Sequence, residues 1–378
     1  MRVSFLGFRS VGTGSGGVER HVYELAVRMA ALGHQVRVFY RSRYQTSLPD
    51  AGPNLRLIPK FTLYSKHVEN LSHTLCAMPE AMRDADIVHI HSMGPTLLSW
   101  LPKLCGKTVV ATIHSLDFQR DKWNALARKV LYLSAWTSVT FPDATISVSR
   151  PMCEFYRSRF GRAPVYIPNG INPPETRPLE RLAGLGLAPR GYVLALGRLV
   201  PEKGYHYLIR AFRQLATDCK LVVVGAHTHT PEYVRSLEAM AGGDPRILLP
   251  GPMYDEEKAE LYSNARLFVL PSDLEGMPIV MLEAMSHGCP VLVSDIPANL
   301  DVVSGNGEEA RRALQGELGY CFRAGDVPGL AALLHGLLQR GDLPEMGERG
   351  RRFVLASYQW DAIVEQTLGL YRSLLGRG

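Results

Sequence analysis

Two cations and two carboxylates in the second half of the chain have the types and spacing needed to grip a phosphorylated sugar. Arg198 and Lys203 fall in Gly197-Arg198-Leu199-Val200-Pro201-Glu202-Lys203-Gly204. Glu275 and Glu283 fall in Pro271-Ser272-Asp273-Leu274-Glu275-Gly276-Met277-Pro278, continued by Ile279-Val280-Met281-Leu282-Glu283. A guanidinium fork and an ammonium point charge suit a diphosphate. The same cations would offset the charge that a diphosphate gains as it leaves, with no metal. Gly276-Met277-Pro278 is expected to open a helix, with Pro278 in its first turn. Glu283 then lies inside an apolar helix with Ile279, Val280, Leu282, Ala284 and Met285 around it. A carboxylate in such company needs a partner, and ribose hydroxyls would serve. Together the four residues suggest a protein that holds a nucleotide sugar.

The elements that must position these residues are legible as a pattern. Val3–Phe8, Gln35–Tyr40, Ile87–His91, Thr108–His114, Ala144–Val148 and Val165–Pro168 read as strands. Between the first two, Glu19–Leu32 places Val22, Leu25, Ala26 and Met29 at helical spacing. Four prolines among charged residues from Asn172 to about Arg190 read as a linker. A second alternation follows, with strands at Tyr192–Leu196, Lys220–Val224, Arg246–Leu249, Leu267–Leu270 and Pro290–Ser294. Trp360–Leu375 is helical, carrying Ile363, Val364, Leu368, Tyr371 and Leu374. Alternating strands and helices imply parallel sheets, so the fold class is α/β, two Rossmann-like doubly wound domains. The expected division is 1–172, a linker at 173–190, 191–357, and a last helix in 358–378. Strand 193–197 then delivers Arg198 at its C-terminal edge, where open α/β sheets bind ligands.

Gly12-Thr13-Gly14-Ser15-Gly16-Gly17 spells G-x-G-x-x-G between a strand and a helix. One reading is a dinucleotide site. The second strand ends in Phe39-Tyr40-Arg41-Ser42-Arg43, with no acid for a ribose but with arginines that suit an NADP phosphate. The other reading places Gly16 and Gly17 at a helix N-terminus, where backbone N–H groups reach a phosphate.

Bulk properties narrow the class. A chain of 378 residues favours two α/β domains. Six scattered cysteines without a Cys-x-x-Cys pair argue against zinc and a disulfide framework, and fit a cytoplasmic setting. No apolar run is long enough for a membrane span, and the N-terminus lacks a secretory pattern. Residues 1–172 hold 21 Lys and Arg against 11 Asp and Glu, the remainder 21 against 25. The basic first half suits a phosphorylated, lipid-linked or otherwise anionic acceptor, or peripheral contact with an anionic membrane surface; no basic motif with interleaved aromatics points to nucleic acid. Asp84-Ala85-Asp86 precedes a strand rather than ending one, so no Asp-x-Asp metal site is expected.

The chain resembles the retaining GT-B glycosyltransferases of family 4, the glycosyltransferase group 1, over essentially its whole length. The resemblance rests on Gly16-Gly17-Val18-Glu19-Arg20-His21, Ile167-Pro168-Asn169-Gly170-Ile171, Gly197-Arg198 with Lys203-Gly204, Glu275 through Glu283-Ala284-Met285-Ser286-His287-Gly288, and Tyr358-Gln359-Trp360-Asp361. It implies two domains facing across a cleft, with the last helix crossing back to the first domain. It also implies donor contacts by Gly16, Gly17, Arg198, Lys203, Glu275, Gly276, Met277, Pro278, Ile279 and Glu283, and catalytic roles for His114, Glu275, Arg198 and Lys203. His114, in Thr112-Ile113-His114-Ser115, matches the histidine that reaches the transferred sugar. His91, Ser149, Asn169 and Arg120 are expected on the acceptor side. Met277 replaces a common aromatic, and the segment from His114 to Trp123 is longer and more basic than in many relatives.

The expected activity is transfer of a hexose from a UDP- or GDP-sugar to a saccharide or lipid-linked acceptor hydroxyl, with retention, no cofactor and no metal, in cell-surface polysaccharide or glycolipid assembly. No carboxylate pair reads as nucleophile plus acid/base, which favours front-face attack. The competing readings are a sugar-nucleotide epimerase or phosphorylase, a non-enzymatic nucleotide-sugar-binding relative, and an NADP-dependent oxidoreductase.

Overall fold

The computed structural model of the chain describes residues 1–12, 16–44, 52–65, 68–120, 123–226, 230–305 and 316–376. They form two compact units, residues 1–170 with 360–378, and residues 171–359. No helix among the described residues is long and apolar enough to cross a membrane.

The first unit is built on seven parallel strands: β1 Arg2–Leu6, β2 Gln35–Arg41, β3 Leu55–Lys60, β4 Ile87–His91, β5 Thr108–Ile113, β6 Ala144–Ser147 and β7 Val165–Tyr166. Their order is β3-β2-β1-β4-β5-β6-β7, so the winding direction reverses between β1 and β4. In register, Val3 faces Val36 on one side and Ile87 on the other. The helices that matter for the site are α1 Gly17–Ala31, α2 Glu69–Met82, α3 Trp100–Leu104, α4 Ala125–Thr140 and α5 Arg150–Phe160. The stripe Val22, Leu25, Ala26 and Met29 on α1 is fully removed from water, which is what fixes the helix to the sheet. Gly33, at φ +84°, ends its run. The helix Trp360–Leu375 belongs to this unit. Gly170 makes room for it, because a Cβ there would sit 2.6 Å from the Trp360 ring.

The second unit has six parallel strands: β8 Tyr192–Leu196, β9 Lys220–Val224, β10 Ile247–Gly251, β11 Leu267–Leu270, β12 Val291–Ser294 and β13 Tyr320–Phe322. Their order is β10-β9-β8-β11-β12-β13, the Rossmann order, with its reversal between β8 and β11. The helices α6 Tyr205–Phe212, α7 Pro231–Ala241, α8 Asp255–Asn264, α9 Ile279–Ser286 and α10 Pro297–Val303 follow the strands in turn. Val193, Ala195, Leu221, Val223, Leu267 and Val269 share one core with Leu208 and Phe212 of α6. Strands covered on both faces read as unbroken apolar runs, and the runs at 192–196, 220–224 and 267–270 are strands to the residue.

Two elements lie outside the expected pattern. They are β3 and β13, each at one edge of its sheet. β3 carries Pro59 and is only partly buried, as an edge tolerates, and β13 is three residues long. Residues 173–190, expected as a linker, are strapped onto the second unit. The buried Glu260 carboxylate of α8 accepts from the backbone N–H groups of Glu180, Arg181 and Leu182 at 3.1, 3.2 and 3.3 Å. Asn264 donates to the Arg177 carbonyl at 2.8 Å, and its own carbonyl accepts from Arg190 N–H at 2.7 Å. Replacing Glu260 by Leu orphans three donors at once. The expected result is a loss of about 2–4 kcal/mol in the second unit, read as a lowered denaturant midpoint; an unchanged midpoint contradicts this account of the strap.

Candidate functional site

In the second unit the site residues come from the two strands that flank the reversal. β8 ends in Gly197, whose φ of +150° turns the chain, and Arg198 follows as an exposed side chain. A 3-10 turn, Pro201–Lys203, leads through Gly204 into α6. Gly204 has φ +68°, and a Cβ there would lie 1.9 Å from the Pro271 carbonyl oxygen. The absent side chain therefore lets the loop after β8 pack against the loop after β11. The Asp273 N–H donates to the Glu202 carbonyl at 2.9 Å across the same junction.

That packing brings Lys203 and Glu275 together. Lys203 Nζ is 2.5 Å from Glu275 Oε1, which also accepts from the Ser272 hydroxyl at 2.7 Å. Both side chains are largely buried, 14% and 8% exposed, so each charge is offset by the other. Lys203 keeps further N–H donors for an anion. Glu283 lies in the second turn of α9, and its Oε2 takes Lys258 Nζ at 2.9 Å and the Tyr262 hydroxyl at 3.0 Å, both from α8. The partner expected for this buried carboxylate thus exists within the protein itself. Beside it, burial lowers His287 to about 4. Gly276, Met277, Pro278 and Ile279 are all buried. Pro278 stands one residue ahead of α9, as its N-cap rather than in the first turn, and no side chain caps that helix end.

A cavity of about 360 Å³ opens at the C-terminal ends of β8, β9 and β10, where Leu199, Gly225, Val234, Leu249 and Gly251 line it together with Glu238. Nothing in residue type marked it in the sequence. Its signal was positional, since three adjacent parallel strands end there.

The first unit has a different character. β1 ends at Leu6 and α1 begins at Gly17, so residues 7–16 separate them; this is too long for the tight turn of a dinucleotide loop. Of the glycine run, Gly12, Gly16 and Gly17 are described, and Thr13, Gly14 and Ser15 lie outside the described residues. Gly16 is the N-cap of α1 at φ +154°, again with no side-chain cap, and Glu19 reaches back to the Arg9 N–H at 3.4 Å.

Four histidines gather at the ends of β4 and β5. His91 Nδ1 lies 3.1 Å from His114 Nε2, and the two rings stack at 5.4 Å and 23°. His21 of α1 meets His114 edge-on at 4.8 Å, and its Nδ1 lies 2.8 Å from Asn169 Oδ1. His89 joins the Thr112 hydroxyl at 2.7 Å and the Tyr371 hydroxyl at 2.5 Å. Burial lowers His21 to about 4, and lowers His89, His91 and His114 well below the ordinary histidine value. His21, His91 and His114 each bring a ring nitrogen within 4.8 Å of the others, and His91 Nδ1 and His114 Nε2 are engaged with each other. His21 and His89 were not singled out from the sequence; a histidine within the apolar stripe of α1 and the alternation of His89 with His91 along β4 were the available signals. Of the other expected residues, Asn169 joins this cluster through His21. Ser149 is buried at the N-cap of α5 with an unpartnered hydroxyl. Arg120 bonds Asp117 at 2.9 Å and Ser115 at 3.3 Å, while Asp121 and Lys122 lie outside the described residues.

Depressed histidines bind protons in the unfolded chain before the folded one does. Stability is therefore full above about pH 6.5 and falls as pH drops from there toward 4. The expected loss at pH 5 is on the order of 1–2 kcal/mol for His21 alone. Chemical denaturation at pH 7.5 and pH 5 checks it, and His21→Phe should reduce the dependence by about that amount, leaving the share of the other depressed histidines.

Residues 15–175 match the family described as "Glycosyltransferase Family 4", and residues 190–340 match "Glycosyl transferases group 1". A phosphatidyl-myo-inositol mannosyltransferase of Mycobacterium leprae is 30% identical over 96% of this chain and 94% of its own length. Among solved structures, a sucrose-phosphate synthase from Thermosynechococcus elongatus is 23% identical with a TM-score of 0.83, over 100% of both chains. Anabaena Alr3699/HepE, in complex with UDP and glucose, is 18% identical with a TM-score of 0.80, over 99% of this chain and 100% of its own. These structures share the two-domain GT-B fold.

Proposed function

The chain belongs to the group 1 glycosyltransferases of family 4, and from that premise we propose that it moves a hexose from a UDP- or GDP-sugar to an acceptor hydroxyl with retention and without a metal. It is a glycosyltransferase enzyme, of a kind that acts in glycolipid or polysaccharide synthesis. The observation that carries the donor reading is the junction of the loops after β8 and β11, where Arg198, Lys203 and the uncapped N-terminus of α9 converge on one edge of the sheet.

Arg198 and Lys203 hold the donor diphosphate and offset its charge as it leaves. The cavity at the ends of β8, β9 and β10, with Glu238 among its lining residues, takes the base. Glu283, already oriented by Lys258 and Tyr262, accepts from ribose hydroxyls. Glu275, steadied by Lys203 and Ser272, accepts from the transferred sugar, which the N–H groups of the Gly276–Ile279 segment also meet. Within the first unit, the uncapped α1 N-terminus at Gly16 and Gly17 offers N–H donors of the kind a phosphate takes, and His114 is the group proposed to meet the transferred sugar. The departing phosphate oxygen takes the acceptor's proton, and the protein supplies position and charge. Glu275 Oε1 is held by a cation and a hydroxyl, which fits a role in orienting the sugar.

In a thermal-shift screen, UDP- or GDP-sugars should raise the melting temperature and NADP should not. Glu275→Gln should retain nucleotide binding but lose at least about tenfold in kcat, and turnover should survive EDTA. A wild-type rate for Glu275→Gln, or turnover abolished by EDTA, sinks the corresponding part of this mechanism.

The acceptor is proposed to be a saccharide or lipid-linked hydroxyl at the cytoplasmic face of a membrane. The mycobacterial relative is named for a phosphatidyl-inositol acceptor. On α4, Leu126, Leu133 and Trp136 are 72%, 50% and 43% exposed, in a helix that carries Arg128 and Lys129 and no acidic residue. An exposed apolar stripe with basic neighbours suits an anionic interface. Co-sedimentation with phosphatidylglycerol vesicles, but not with pure phosphatidylcholine vesicles, is expected, and Leu126→Ser with Leu133→Ser should abolish it. Equal pelleting of the variant sinks the membrane reading.

A further inference from the structure

His91 ends β4 with its side chain wholly removed from water. Its ring is enclosed by Phe5 at 5.4 Å, His89 at 4.2 Å, His21 at 5.6 Å and the edge of Phe8 at 6.2 Å. Nδ1 is spent on His114 Nε2 at 3.1 Å, and Nε2 is buried with no hydrogen-bond partner. Burial keeps the ring neutral, and the charges that act on it are those of other histidines rather than of a carboxylate. A neutral imidazole has one proton to place on two nitrogens.

The two placements differ in what they leave dry. A proton on Nε2 would be a buried N–H with no acceptor. A proton on Nδ1 is used in the bond to His114, and only a lone pair stays unsatisfied. Orphaned buried N–H groups are the rarer and costlier of the two. His91 therefore donates Nδ1–H to His114 Nε2. His114, neutral for the same reason of burial, must then carry its own proton on Nδ1. That nitrogen is not among the buried unpaired atoms, and His114 keeps part of its surface open. His21 meets the His114 ring edge-on at 81° and is itself tied to Asn169, so the ring plane is held as well as its protonation.

We propose that His91 is a positioning residue that fixes His114 in the Nδ1–H tautomer, so that His114 presents a hydrogen-bond donor, not a base, to the substrate. The inference rests on the reading of His114 as the group that meets the transferred sugar. The oxygen it meets is then an acceptor: a sugar hydroxyl oxygen or a phosphate oxygen. Removal of the acceptor's proton falls to another group, consistent with the departing phosphate.

The test has two readouts. Long-range proton–nitrogen correlation spectra of ¹⁵N-histidine-labelled wild-type protein at pH 7.5 report which ring nitrogen is protonated, with no substrate present. His114 and His91 should both show a protonated Nδ1 and a bare Nε2. In steady-state kinetics, His91→Phe should lower kcat about tenfold, the worth of one hydrogen bond, with the donor KM within about twofold, and should leave His114 as a mixture of tautomers. His91→Asn, whose amide N–H stands in for Nδ1–H, should restore most of both. A wild-type His114 protonated on Nε2 overturns the proposal, as does a His91→Phe variant with unchanged tautomer and unchanged kcat. If the spectra are as expected but His114→Leu turns over at the wild-type rate, the reading of His114 fails instead, and the two failures are told apart.

Discussion

The reversal of strand order in each parallel sheet is the constraint on which the rest of the molecule depends. Where winding changes direction, the loops leaving two neighbouring strands diverge to opposite faces and open a crevice at the C-terminal edge. In the second unit that crevice lies between β8 and β11, and in the first between β1 and β4. Arg198 and Lys203 leave β8, and Glu275 and the start of α9 leave β11. His91 closes β4, and His114 leaves β5 next to it. Residues far apart in the chain, such as Lys203 and Glu275, become neighbours because the two strands that carry them are neighbours.

The two crevices solve the cost of burying polar groups in different ways. In the second unit the charges are kept and paired, Lys203 with Glu275 and Lys258 with Glu283. A pair of that kind is weak evidence for stability, but it holds each group in one place before any ligand arrives. In the first unit burial removes the charge instead. Four histidines pack ring to ring with Phe5 and Phe8, and their hydrogen bonds run from imidazole to imidazole, amide or hydroxyl. The charged cluster is thus suited to holding anions, and the histidine cluster to presenting neutral donors of fixed orientation.

Much of this was legible along the chain. Strands buried on both faces announce themselves as apolar runs, which is why β8, β9 and β11 were readable to the residue. β3 and β13 were not, because β3 is only partly buried and carries Pro59, and β13 is three residues long. The prolines of 173–190 suggested a loose linker, whereas the contacts that bind it come from Glu260 and Asn264, about 80 residues later. His21 was hidden because a single histidine in a helical stripe looks like any other core residue until its partners are known.

By itself the sequence determined the alternation of elements, the family, and the residue types that arrive at each strand end, since these follow from local periodicity and short motifs. Only the tertiary structure decided which of them meet. Gly204 allows a loop to approach the Pro271 carbonyl, and so Lys203 is paired with Glu275; α8 lies beside α9, and so Glu283 is held by Lys258 and Tyr262. The state of His114 was decided the same way, by a neighbour whose second nitrogen has no partner. Pairing and protonation depend on distance and burial, and neither is a property of a residue or of its near neighbours in the chain.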